Sequence, residues 1–120
     1  VAGIVAARES FAQPSQLERL QRHHGDKAGW VLHAWIDTWL SPAFARWNLD
    51  DALQRVRCPV LAIHGDRDEY GSVAHPQRIA AHCTGRVDVD ILADVGHVPH
   101  GERSNDVIAR VATWLHAREG

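Results

Sequence analysis

The sequence predicts an α/β fold, in which a helical segment at residues 1–57 precedes a strand-helix-strand-helix segment at residues 58–120. Three observations predict it. Residues 60–63 form a continuous apolar run, which is typical of a parallel strand covered on both faces. Residues 87–91 alternate apolar side chains with acidic ones and are followed by Leu92, a pattern that predicts a second strand. The chain then ends in a segment with the apolar spacing of one helix face.

The first segment predicts several helices separated by turn residues. Residues 3–13 have a weak helical face. Ser15, with Glu18 three residues later, has the form of a capping box and predicts the start of a second helix that ends at Gly25. Asp26 is the expected cap of a third helix.

Aromatic residues are concentrated around this third helix. Four of the five tryptophans lie between Trp30 and Trp47. We expect the large aromatic side chains to pack in the core, along two neighbouring helical stripes: Trp30, Ala34 and Thr38, and Val31, Trp35 and Trp39. Ser41 followed by Pro42 predicts another helical start, and residues 48–56 a further short helix.

In the second segment, the apolar run predicts a strand from Val60 to Ile63, and Gly65 allows a tight turn after it. Acidic residues follow at once: Asp66, Asp68 and Glu69. In open α/β sheets, ligands bind beyond the carboxyl ends of the strands. The second strand is followed by Asp94, Val95, Gly96 and His97, so each strand is expected to end in a loop with one proton-handling group.

Two helices are predicted around these strands. The first spans residues 73–83, between the strands. The second begins near Ser104, which can cap it. Its expected buried face consists of Val107, Ile108, Val111, Trp114 and Leu115, and Arg110 and Arg118 are expected to point outward.

The motifs resemble a known family. The run P-V-L-A-I-H-G-D-R-D-E from residue 59, then D-V-G-H-V-P-H from residue 94 and a final amphipathic helix, resembles the C-terminal part of the α/β-hydrolase family. The resemblance implies that residues 1–57 are a helical lid and residues 58–120 the end of the hydrolase core. It also implies that Asp68 is the catalytic acid and His97 the catalytic histidine of a Ser-His-Asp mechanism.

The resemblance further implies an ester or a related carbonyl compound as the substrate of a longer parent protein. The alternative role of the lid tryptophans is to line an acyl or aromatic pocket, and a Trp-rich lid favours a small hydrophobic or aromatic substrate. The family's G-x-S-x-G nucleophile motif has no counterpart here, since none of the serines lies between glycines at that spacing: Ser10, Ser15, Ser41, Ser72 and Ser104. Cys83 is expected within a helix as a buried apolar residue. We therefore expect the isolated chain to lack triad-level hydrolase activity.

Less specific interpretations of the same residues remain open. Asp68 could be a solvated loop acid and His97 a turn residue, and Asp66 and Glu69 are typical of a solvated turn. His97 and His100 have a spacing that a metal could use, as do His23 and His24. Two ligands do not complete a zinc site, so no metal and no cofactor are expected.

The composition of the chain indicates which classes of binding partner and which cellular setting to expect. Thirteen basic and fifteen acidic residues give a net charge of −2, which does not favour nucleic acid or an anionic membrane as a partner. Two cysteines and the lack of a signal-like or spanning segment predict a cytoplasmic setting. The chain begins with Val1 and contains no methionine, so we expect it to be a piece of a longer protein.

A second interpretation belongs to another class of function. The resemblance implies that an upstream strand pairs with the strand at residues 60–63 in the family, so that this chain would leave one edge of that strand open. An open strand edge is a template for pairing with another chain. The polypeptide would then be a non-catalytic association or folding unit. Its expected partner is either a second copy of itself or the missing N-terminal half.

Overall fold

The computed structural model describes residues 1–119, and the chain divides into two compact units, Val1–Asn48 and Leu49–Gly120. The sequence placed its boundary later, between residues 57 and 58. Residues 49–57 are tied to the second unit because the Val56 carbonyl accepts the amides of Thr84 and Gly85 at 3.2 and 3.0 Å. Among residues 1–119, no helix has the length and apolar character needed to cross a membrane.

The first unit is helical. Its elements are α1 (Ala2–Phe11), α2 (Pro14–His24), a 3-10 turn (Gly25–Lys27), α3 (Ala28–Leu40) and a second 3-10 turn (Pro42–Phe44). The three α-helices contact one another. Its small core is formed by the side chains of Ile4, Ala7, Ala28 and Ile36.

Two of the predicted helix caps in this unit are wrong and two turn predictions are confirmed. Pro14, not Ser15, opens α2, because the fixed φ of proline suits the first helical position. Asp26 lies inside the 3-10 turn and does not cap α3. Gly25 ends α2 with φ of 53°, a left-handed conformation that glycine adopts without strain. Ser41 accepts the Phe44 amide at 3.2 Å.

The prediction that the tryptophans pack in the core is wrong for Trp30, which is 72% exposed. Helix α3 buries Ala28 and Ile36 instead, so the stripe containing Trp30 faces away from the unit's core. Trp39 and Trp47 are also exposed, yet their rings meet Phe44 with centroids 5.1 and 4.9 Å away. These three residues, Trp39, Phe44 and Trp47, are called the aromatic cluster below.

The second unit is mixed α/β, as predicted. Its elements are α4 (Asp50–Leu53), β1 (Val60–Gly65), α5 (Ala74–His82), β2 (Val87–Leu92), α6 (Pro99–Glu102) and α7 (Ser104–Glu119). The two strands are parallel, with register from Val60 opposite Val87 to Gly65 opposite Leu92. Both strands therefore end at the same edge, which places the loops after Gly65 and after Leu92 beside each other.

Helix α7 contacts the sheet through only part of the predicted face: Val107 and Trp114 are half-buried as expected, but two arginines join them in the contact. Arg110 and Arg118, expected to point outward, form ion pairs with Asp90 and Asp88 of β2. Trp114 donates its indole N–H to Asp88 at 2.8 Å. The acidic face of β2 attracts the basic face of the helix, so three apolar residues of the expected buried face remain exposed: Ile108, Val111 and Leu115.

The two strands of the second unit are only partly covered by the rest of the unit. Strand β1 was expected to be covered on both faces, but only Gly65 of its residues is fully buried. In β2, Val89 and Ile91 are partly exposed. Packing within the chain thus leaves much of the sheet's apolar surface uncovered.

Candidate active site

The loops after β1 and β2 are in direct contact because residue 65 has no side chain. A Cβ atom at Gly65 would lie 2.2 Å from the Val95 carbonyl oxygen and 2.3 Å from that of Gly96. Both distances are far shorter than a van der Waals contact. Gly65 therefore allows the backbone before His97 to lie against the backbone before Asp68.

Hydrogen bonds join the two loops. The Arg67 amide donates to the Val95 carbonyl at 2.9 Å, and Asp66 accepts the Asp94 amide at 2.8 Å. The Arg67 guanidinium also pairs with the Asp94 carboxylate at 2.6 Å. Asp94 has φ of 58°, an uncommon conformation for a residue with a side chain, and these bonds hold it there. Asp66 is exposed, as expected, but it connects the loops.

Asp68 is the buried acid of the site, with its side chain only 6% exposed. One carboxylate oxygen accepts the amides of Tyr70 and Gly71 at 2.8 and 3.1 Å. Burial raises the pKa of Asp68, but the hydrogen bonds from His97, Tyr70 and Gly71 together outweigh it, so the pKa lies below its ordinary value. The carboxylate is therefore ionised at neutral pH.

His97 contacts this carboxylate directly. Its Nδ1 lies 3.0 Å from both Asp68 oxygens. An ionised carboxylate only accepts hydrogen bonds, so Nδ1 carries the hydrogen and Nε2 is the ring nitrogen left for chemistry. The His97 side chain is 51% exposed, and the Tyr70 ring packs edge-on against it with centroids 4.8 Å apart. The structure thus brings together the two residues that the sequence singled out.

A second histidine lies on the other side of the acid. His64, at the end of β1 and largely buried, has Nε2 3.0 Å from the Gly71 carbonyl oxygen and 3.6 Å from Asp68. A carbonyl oxygen cannot donate, so Nε2 of His64 carries a hydrogen. This hydrogen bond steadies the loop whose amides hold Asp68.

Sequence reasoning missed three residues of the site: His64, Tyr70 and Glu102. His64 could have been noticed, since it precedes Gly65 at a strand end and lies four residues before the acid. Tyr70 directly follows the acidic turn but carries no motif. Glu102 accepts the Gly96 amide at 2.9 Å, a contact that depends on how the loop folds and that residue spacing alone does not indicate.

Two serine hydroxyls of the second unit make local backbone contacts, and one of its cysteines lies away from His97. Ser72 accepts the Ala74 amide, and Ser104 donates to the His100 carbonyl. Cys83 was expected in mid-helix, but it directly follows α5 and is half-buried. Because α5 runs back from the carboxyl ends of the strands to their amino ends, Cys83 lies at the opposite edge of the sheet from His97.

Within residues 1–119, no three histidine, cysteine or acidic side chains are grouped so that they could hold a metal ion. His100, the second histidine of the predicted pair, is exposed. Comparison with protein-family models, with curated proteins and with solved structures gave no match for this chain.

Proposed function

We propose that this chain is the C-terminal part of an α/β-hydrolase-fold enzyme and supplies the acid and the histidine of a Ser-His-Asp mechanism. One observation carries the proposal. Buried Asp68 and half-exposed His97 meet through Nδ1 at 3.0 Å, at the adjacent carboxyl ends of two parallel strands. That arrangement holds an imidazole in one tautomer and leaves Nε2 free, as a general base requires.

The chemistry assigned to these residues is proton transfer. Nε2 of His97 accepts the proton of a serine hydroxyl from outside this chain as the serine oxygen attacks the substrate carbonyl. Asp68 stays ionised and stabilises the imidazolium. His97 then returns the proton to the leaving oxygen, which departs as an alcohol and leaves an acyl-enzyme. Water, activated by the same Nε2, releases the acid and restores the serine.

The first unit is proposed as the lid of the parent enzyme. Its helical character and its aromatic cluster support this role, because exposed aromatic rings contribute large apolar contact surfaces. The substrate class that suits such a surface is a small hydrophobic or aromatic ester. No cofactor is part of this proposal, since the mechanism needs only the three side chains and an oxyanion hole.

Turnover of a short nitrophenyl ester tests this function. The chain alone is expected to show none above the buffer rate, whereas the chain expressed with its upstream coding sequence is expected to hydrolyse the ester. His97→Ala should lower that activity by about 10³-fold or more, and His100→Ala, an exposed histidine three residues away, should leave it unchanged. Full activity in His97→Ala would refute the proposal.

A second candidate function, an association unit, is favoured by the sheet itself. Among residues 1–119, β1 pairs only with β2, so the outer edge of β1 carries backbone groups available to another strand. We propose that this edge pairs with a second copy or with the N-terminal half of the parent. Light scattering coupled to gel filtration tests pairing of copies: a dimer at high concentration supports it, and a monomer throughout refutes it.

A further inference from the structure

Glu102 holds the backbone on both sides of His97. One carboxylate oxygen accepts the Gly96 amide at 2.9 Å, and the other accepts the Val98 amide at 3.4 Å. These are the residues immediately before and after the histidine. A single side chain therefore spans the turn that presents His97 to Asp68.

Helix capping explains the bond from Glu102 to the Val98 amide but not the bond to the Gly96 amide. Val98 directly precedes α6, and the Glu102 amide donates to the Val98 carbonyl at 3.0 Å in the ordinary helical pattern. The bond from the Val98 amide to the Glu102 carboxylate corresponds to one half of a capping box, in which a side chain accepts the amide of the cap residue. The bond to Gly96 lies further upstream, in the loop after β2, where no helical amide needs a partner. That second bond places the loop rather than the helix.

The glycine at position 96 fits the same arrangement. A Cβ atom there would lie 2.9 Å from a carboxylate oxygen of Glu102. The obstructing atom is the end of a flexible side chain, so an alanine at this position would displace the carboxylate without disturbing the strands. Gly96→Ala is thus a second way to separate Glu102 from the turn.

We propose that Glu102 is a positioning residue for His97: its carboxylate fixes both flanking amides so that the ring meets Asp68 through Nδ1. Its importance for turnover rests on the proposed function. Its effect on the histidine does not, because that effect can be measured in the chain alone. Glu102 acts through the backbone and touches no reacting atom.

The experiment measures two properties by NMR: the amide exchange rates of Gly96 and Val98, and the fraction of His97 that carries its hydrogen on Nδ1. In Glu102→Ala we expect exchange at both amides to accelerate about tenfold or more and the Nδ1-protonated fraction to fall by about half or more. Gly96→Ala should show the same two changes as Glu102→Ala. Glu102→Gln should be intermediate, since its amide keeps one acceptor oxygen.

Asp106→Ala is the matched control, because this acid on α7 is exposed and forms its ion pair with Arg103, at 3.8 Å. The amides of Thr84 and Gly85, bound to Val56, should exchange at the wild-type rate in every variant and so verify the fold. An unchanged tautomer in folded Glu102→Ala or Gly96→Ala would overturn the positioning role. Absence of ester turnover in the parent would overturn the proposed function and leave this NMR result intact.

Discussion

Asp68 links the site to the stability of the second unit. Its carboxylate accepts two backbone amides and His97, and its pKa is lowered. A group whose folded pKa is lowered contributes stability above its unfolded pKa, about 3.9, and loses that contribution as the pH falls through the folded value. The loss of stability of the second unit at acidic pH therefore depends in part on Asp68.

Asp68→Asn is expected to destabilise the second unit at pH 7 by about 1.5–3 kcal/mol, because His97 and the two backbone amides lose their charged acceptor and meet a neutral side-chain amide instead. The difference in the free energy of unfolding between wild type and variant should become smaller below pH 4. Urea unfolding followed by the NMR signals of β1 and β2, at pH 7 and pH 3, measures it. An equal difference at both pH values would contradict this explanation.

Asp88 is the equivalent acid of the α7 contact. Hydrogen bonds from Trp114, Arg118 and Arg86 lower its pKa to about 2, so the contact should persist down to that pH and be lost below it. Asp88→Asn is expected to speed exchange of the Trp114 indole hydrogen at neutral pH. Asp106→Asn is the control and should change nothing. An unchanged indole exchange rate in Asp88→Asn would show that Asp88 does not hold the helix.

At the scale of elements, the close approach of the two loops depends on Gly65. Gly65→Ala should destabilise the second unit by about 1–3 kcal/mol or more, because its Cβ meets backbone atoms that cannot move aside. Gly101→Ala is the matched control, since its nearest neighbour is a Val98 methyl group at 3.2 Å. Urea unfolding compares the two variants, and equal stabilities would contradict the proposed packing of the loops.

The orientation of α7 predicts which apolar residues matter for folding of this chain. Ile108 is 66% exposed, so Ile108→Gln should change stability by about 0.5 kcal/mol or less. Val95 is fully buried, so Val95→Ala should destabilise by about 1.5–3 kcal/mol. Thermal unfolding measures both. A large loss of stability in Ile108→Gln would mean that α7 buries Ile108 against the rest of the unit.

The strands could be predicted from the sequence, while the helix faces could not. Residues 60–63 and 87–92 carry a local pattern that allows few alternatives, and the structure pairs them as parallel strands. The face of α7 depends on the acids of β2, which lie far away in sequence and attract Arg110 and Arg118. Apolar spacing alone favoured Ile108 and Leu115, because it contains no information about that partner.

At the scale of the whole molecule, Asp68 and His97, which the sequence singled out, are in contact, whereas most of their supporting residues were not predicted. Each of the two lies in a motif at a strand end, so parallel strands were enough to bring them together. His64 and Glu102 act through loop backbone contacts that no short motif encodes. The family, the substrate and the association partner stay predictions, which the activity and light-scattering experiments address.

The central claim is that Asp68 holds His97 through Nδ1 and leaves Nε2 ready to accept a proton. Long-range ¹H–¹⁵N NMR of the histidine rings at neutral pH tests it most directly, in wild type and in Asp68→Ala. We predict that His97 carries its hydrogen on Nδ1 in the wild type and shifts to Nε2 in the variant. A wild-type His97 that carries its hydrogen on Nε2, or a His97 tautomer that is the same in Asp68→Ala as in the wild type, would contradict the claim.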